Sequence, residues 1–201
     1  MRTSNKNKNV RRNQPTLPPV EDFVPKGHRI IEGEHPAMIS NEELLKQVSL
    51  EFGRSSGPGG QHRNRKATAC TATHVPSGIS GTATERRRQS ENRALSISRL
   101  RRTLAIIIRT KINTENWKCS EIWSTRQHGN QLPINPKHPH YPHLLAEVLD
   151  LLYAFDFDLV AASECASISS SQIVKLIGHD KQALIWVNDQ REERGLSQLK
   201  S

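Results

Sequence analysis

The chain has 201 residues, of which 34% are hydrophobic and 4% aromatic, and its formal net charge is +9. That length suits one compact domain or two small ones, and the low apolar share leaves part of the chain outside any core. No apolar run is long enough to span a membrane, and the three widely spaced cysteines, Cys70, Cys119 and Cys165, form neither a disulfide framework nor a metal pair. A reducing compartment is expected, cytoplasmic rather than an organellar matrix. The acid-free start at 1–14 is too poor in apolar residues for an amphipathic transit helix.

In chain order, residues 1–20 read as a disordered basic tail ending in Pro15, Pro18 and Pro19. Residues 21–37 read as extended. Ser40, with Glu43 three residues on, is a capping box opening a short helix through Gln47. Val48, Leu50 and Phe52 then alternate with polar residues as a half-buried strand. A loop runs from Gly53 to Lys66. Strands at 67–75 and 79–84 flank the turn Pro76-Ser77-Gly78 and form a hairpin.

The recurrence of Ala94, Ile97, Leu100, Leu104 and Ile107 predicts a helix over about 86–111. Its outer face carries Arg86, Arg87, Arg88, Arg93, Arg99, Arg101 and Arg102. Pro133, Pro136, Pro139 and Pro142 exclude a long helix within 113–142. Further helices are expected around Leu144–Phe155, over Leu159–Ala166, from the capping residue Ser169 to Gly178, and from the cap Asp180 towards Gly195.

Charge is segregated along this order. Residues 54–111 have a net of +11, whereas 15–53 have −4 and 112–201 have −3. A polyanion is therefore expected to engage the middle segment.

That segment contains Arg54-Ser55-Ser56-Gly57-Pro58-Gly59-Gly60-Gln61-His62. Thr73-His74-Val75-Pro76-Ser77-Gly78-Ile79 follows, then Arg87-x-Gln89-x-x-Asn92. In order and spacing, residues 46–110 resemble class I peptide-chain release factors and their short, codon-independent ribosome-rescue relatives. Glycines at 59 and 60 permit backbone conformations and close approaches closed to other residues, and backbone N–H groups are good oxyanion donors. The resemblance implies that Gly59, Gly60 and Gln61 are the catalytic residues for hydrolysis of the peptidyl-tRNA ester. The Gln61 backbone N–H would stabilise developing charge, and its side chain would shape the water site. Gln61 is also a candidate for N-methylation by a glutamine methyltransferase. Arg54, His62, Arg63, Arg65, Lys66, Arg86, Arg87, Arg88, Gln89 and Asn92 are the expected RNA contacts. Arg63 stands where the family commonly has an apolar residue, and Arg88 where it has Ser.

The expected fold is α+β. A small mixed or antiparallel sheet projects the Gly-Gly-Gln loop beside one long basic helix, and a small all-α unit follows. The expected organisation is a disordered basic tail at 1–20, the release-factor domain at 21–112, an irregular Pro-rich linker at 113–137 and a helical, helix-turn-helix-like unit at 138–201. No cofactor is expected, and no metal, because Pro139 and Pro142 break the geometry of His138, His140 and His143. The expected partners are the ribosome, through large-subunit rRNA and peptidyl-tRNA; the protein itself is expected to be a monomer away from membranes. Neither a Pro-x-Thr nor a Ser-Pro-Phe tripeptide occurs, so codon reading by this chain alone is not expected.

Two rivals stand beside this reading. One is a non-hydrolytic ribosome- or RNA-binding protein that keeps the fold. The other is a DNA-binding regulator using the helix-turn-helix spacing of 159–178, with Ser170, Ser171, Gln172 and Lys175 as contacts. The net acidity of 112–201 favours a plain packing module over that second rival.

Overall fold

The computed structural model describes residues 28–54 and 67–200. The expected basic tail at 1–20 and most of the Gly-Gly-Gln loop lie outside the described residues. The elements run β1 (Arg29–Ile31), α1 (Asn41–Lys46), β2 (Val48–Gly53), β3 (Ala69–His74), β4 (Ile79–Ala83), α2 (Gln89–Ile107) and β5 (Ile108–Thr110). They continue as α3 (Glu121–Ser124), α4 (Tyr141–Ala154), α5 (Leu159–Ala166), α6 (Ser170–Gly178) and α7 (Lys181–Glu193). The fold is α+β, as expected. Among the described residues no helix is long and apolar enough to cross a membrane.

Strands β2, β3 and β4 form an antiparallel sheet in that order, and β1 pairs in parallel with β5 as a separate two-stranded ribbon. The Ser40 capping box is present in full: the hydroxyl accepts from the Glu43 N–H and the Glu43 carboxylate accepts from the Ser40 N–H. The α2 helix lies across β3 and β4. Cys70, Ala72, Gly81 and Ala83, which share one face by register, keep the sheet surface low, so helix and strand backbones come close. A Cβ on Gly81 would sit 2.3 Å from the Leu100 N and 2.6 Å from the Ser96 carbonyl oxygen.

Several expectations are corrected. The long helix stops at Ile107, and Ile108, Arg109 and Thr110 become β5 because β1 is alongside to pair with them. Its buried stripe is Asn92, Ser96, Leu100 and Leu104, whereas Ala94 is exposed. The small sheet side chains leave room for polar Asn92 and Ser96, and the Ser96 hydroxyl donates to Cys70 Sγ at 3.3 Å. Phe52, read as inward-facing, is 44% exposed.

Residues 113–137 are not wholly irregular. Ser120 caps the short helix α3, and Trp123 and Leu132 enter the same core as α2 and α4. Trp117 packs edge-on against Trp123 at 5.7 Å between ring centroids. Pro142 lies inside the first turn of α4, where a missing N–H costs nothing.

The helical part starts with α4, buried along nearly its whole length. Asp158, Ser169 and Asp180 cap α5, α6 and α7 through their side chains. One buried ion pair joins the two parts of the core. Arg109 on β5 donates to Asp150 on α4 at 2.8 Å, and its guanidinium lies 5.2 Å from the Trp186 ring on α7. Burial pulls Arg109 down to about 10 and pushes Asp150 up, and in each case the partner opposes the shift.

Candidate functional site

The segment carrying the Gly-Gly-Gln motif leaves the sheet after Gly53 and returns at Ala69. Those two residues face each other in the β2–β3 register, so both legs of the loop stand at the same end of the sheet. Gly59, Gly60, Gln61, His62, Arg63, Arg65 and Lys66 themselves lie outside the described residues. Arg54, the last described residue before them, is exposed.

The returning leg is held by the start of α2. Gln89 Nε2 donates to the Ala67 carbonyl at 3.0 Å, and Asn92 Nδ2 donates to the Thr68 carbonyl at 2.7 Å. The same Asn92 carboxamide grips Arg86: its oxygen accepts the Arg86 N–H at 2.9 Å and its Nδ2 donates to the Arg86 carbonyl at 3.0 Å. Asn92 is 0% exposed. This corrects its expected RNA contact, because burial and three internal hydrogen bonds make it a positioning residue. Gln89 is exposed but its amide is committed to Ala67.

One carboxamide thus ties the loop base to the basic triplet. Arg86, Arg87 and Arg88 are all exposed. Among the described residues Arg88 makes a long, exposed pair with Glu91 at 3.9 Å. The arginines further along the helix are turned to structural use. Arg99 pairs with Glu85 and donates to the Thr82 carbonyl at 2.6 Å. Arg101 donates to the Ala37 and Ile39 carbonyls at 2.9 and 2.7 Å, bracing α1. Arg102 donates to the Pro136 carbonyl at 2.8 Å and lies 5.3 Å from the Tyr141 ring centre. Periodicity could not separate these three from Arg86 to Arg88, because their acceptors come from distant segments.

The far end of the hairpin is braced too. His74 bridges Ser77 Oγ at 2.7 Å and Gln47 Oε1 at 2.9 Å, and burial lowers its pKa. His138, His140 and His143 do not converge as a trio. His138 and His140 pack ring against ring at 4.8 Å, whereas His143 approaches Glu147 at 3.9 Å.

Fold and site together define a small α+β domain in which both flanks of the Gly-Gly-Gln segment stand at one end of a sheet, with an exposed basic helix start bonded to the returning flank. Comparison with known proteins agrees in kind. The family model described as RF-1 domain matches residues 39–131. Over 95 residues the chain is 37% identical to peptide chain release factor 2 of Treponema pallidum (strain Nichols), covering 47% of this chain and 26% of that relative. Over 56 residues it is 45% identical to peptide chain release factor 1 of Lacticaseibacillus casei (strain BL23), covering 28% of this chain and 16% of the relative. Over 82 residues it is 42% identical to peptide chain release factor 1 of Blochmanniella floridana, covering 40% and 23%. Through residues 39–131 the chain is similar to the class I peptide-chain release factors. It spans about a quarter or less of the length of these relatives.

Proposed function

We propose that this chain releases nascent peptides from stalled ribosomes by codon-independent hydrolysis of the peptidyl-tRNA ester, acting through Gly59, Gly60 and Gln61. The observation that carries the reading is the Asn92 carboxamide. It fixes the returning leg of the Gly-Gly-Gln segment and the exposed Arg86–Arg88 triplet relative to each other. A loop on such a footing can be inserted into RNA as a unit, with phosphates neutralised beside its base.

In this reading the Gln61 backbone N–H meets the charge that develops as the ester is attacked. The Gln61 side chain limits the attacking group to water, and a glutamine methyltransferase is its natural modifying partner. His62 positions the loop. Arg54, Arg63, Arg65 and Lys66 engage large-subunit rRNA.

The test is release of labelled formyl-methionine from ribosomes carrying initiator peptidyl-tRNA, with a stop codon, a sense codon or truncated mRNA in the A site. Release on truncated mRNA that is lost in Gly60→Ala is the expected result. Release only on the stop codon would overturn codon independence. Binding without release in any arm would establish a non-hydrolytic ribosome-binding protein instead.

A further inference from the structure

A cavity of about 580 Å³ lies between α6 and residues 126–138, away from the Gly-Gly-Gln loop base. Its chemistry is opposite to that of its surroundings. The segment 112–201 is net acidic, yet Arg126, His138, Lys175 and His179 all line this cavity, and among the described residues no carboxylate does. The α6 side contributes Gln172, Lys175 and His179, spaced so that they share one helical face. The opposite wall comes from the segment after α3, whose helical turn delivers Arg126.

Arg126 is presented as a donor that the protein does not fully satisfy. The His140 backbone N–H donates to His138 Nδ1 at 3.0 Å, while Arg126 Nη2 stands 2.9 Å from His138 Nε2. A neutral imidazole has one lone pair in its plane and one N–H, so it cannot accept at both nitrogens. The ring therefore accepts from one of these two donors, and through Nη2 it holds the guanidinium at the cavity wall. A guanidinium has five N–H donors, and among the described residues the bonds of Arg126 to the ring use Nη2, so its cationic fork stands at the wall of a basic cavity where an anionic oxygen would be held through charge-assisted bonds.

We propose that this cavity is a second nucleic-acid site, and that it takes the phosphodiester backbone of a single RNA strand. The proposal rests on the ribosomal reading above for its choice of RNA. The shape favours a single strand over a duplex. A helix that reads a major groove must stand clear of its own protein, since the groove, about 12 Å wide, admits little more than the helix itself. The polar face of α6 is instead walled by residues 131–138. The volume falls within the usual range for small-ligand pockets, enough for about one nucleotide, and Arg126 and Lys175 can each neutralise a phosphate.

The test uses the full chain without ribosomes, so it does not depend on release activity. Binding of a fluorescein-labelled single-stranded RNA of about ten nucleotides is followed by anisotropy at several salt concentrations. The double variant Arg126→Glu with Lys175→Glu should weaken binding about tenfold. It should also reduce the slope of log affinity against log salt by about 1.4, the loss of two phosphate contacts. The double variant Lys118→Glu with Lys200→Glu makes the same charge change outside the cavity and should leave the slope close to that of the parent. Lys175→Ala, an exposed helix position, serves if the double variant fails to fold, and should lose about half of that slope. Equal effects of the cavity and control variants would overturn the proposal. Tighter binding of a duplex DNA of the same length, lost in the cavity variant, would overturn it in favour of duplex recognition. If ribosomal release fails while the cavity effect persists, the catalytic reading alone falls.

Discussion

Arg109 and Asp150 meet across 2.8 Å with neither side chain open to solvent, and they join β5 to α4. Asp150 also accepts the Thr110 N–H at 3.1 Å, and Arg109 also donates to the Ala105 carbonyl. Removing one partner strands a buried charge. Asp150→Ala is therefore expected to cost on the order of 3–5 kcal/mol. Combining Arg109→Met with Asp150→Leu should recover part of that loss, because no charge remains to be desolvated. Urea midpoints of the three proteins check this, and equal loss in the single and double variants would refute it.

His35 accepts the Ala37 N–H on Nδ1 at 3.0 Å, so Nε2 carries the hydrogen donated to the Ile108 carbonyl at 2.9 Å. Burial, with Arg109 nearby, lowers its pKa to about 3, and burial lowers that of His143 to about 4. Both groups take up protons more readily when unfolded, so each stabilises the fold fully above about pH 6.5, and that stability fades as pH falls through the window to the folded value. His35 alone accounts for roughly 5 kcal/mol over this window. Glu147 and Asp150, whose pKa values burial raises, act with the opposite sign. The readout is therefore the difference between the parent and His35→Asn. The parent should lose more stability than the variant between pH 7 and pH 4 in urea titrations.

Gly81 lies under α2 with no space for a methyl group, and the atoms it would strike are helix backbone. Gly81→Ala should destabilise by about 1–3 kcal/mol or more. Ser80→Ala, on the exposed side of the same strand, should be close to neutral. Thermal unfolding of the pair decides the point.

Gln89 and Asn92 hold the same leg of the loop but differ in burial. Asn92→Ala should cost about 1–3 kcal/mol, because the Thr68 and Arg86 backbone groups lose a fully buried partner. Gln89→Ala removes one exposed bond and should cost under about 1 kcal/mol. If the loop base sets the geometry of release, Gln89→Ala should still slow formyl-methionine release at saturating protein. Unchanged release in a stable Gln89→Ala protein would remove the positioning role.

The arginines of α2 should separate into two groups. Arg86→Ala with Arg87→Ala should weaken ribosome binding and reduce its salt dependence, leaving thermal stability close to the parent. Arg101→Ala should do the reverse, since its guanidinium is spent on Ala37, Ile39, Ser40 and Asn41. Salt-dependent ribosome pelleting alongside thermal melts distinguishes the two.

Much of this protein was legible in its sequence. Each feature read correctly depends on residues close together in the chain. The Ser40–Glu43 box, the hairpin turn at Pro76-Ser77-Gly78, the Leu159–Ala166 helix and the Asp180 cap are all settled by contacts within a few residues. The order and spacing of the Gly-Gly-Gln, Thr-His and Arg-x-Gln-x-x-Asn motifs likewise pointed to the release factors that residues 39–131 resemble. Only the tertiary structure decided which arginines are spent on internal acceptors, that Asn92 turns inward, that Ile108 to Thr110 leave the helix for a strand, and that Arg126 and Lys175 line one cavity. Each of those outcomes depends on partners tens of residues away. Local periodicity reports which side of an element faces inward, but not which carbonyl or carboxylate will be waiting there. The cost of burying a charge or amide is set by that partner.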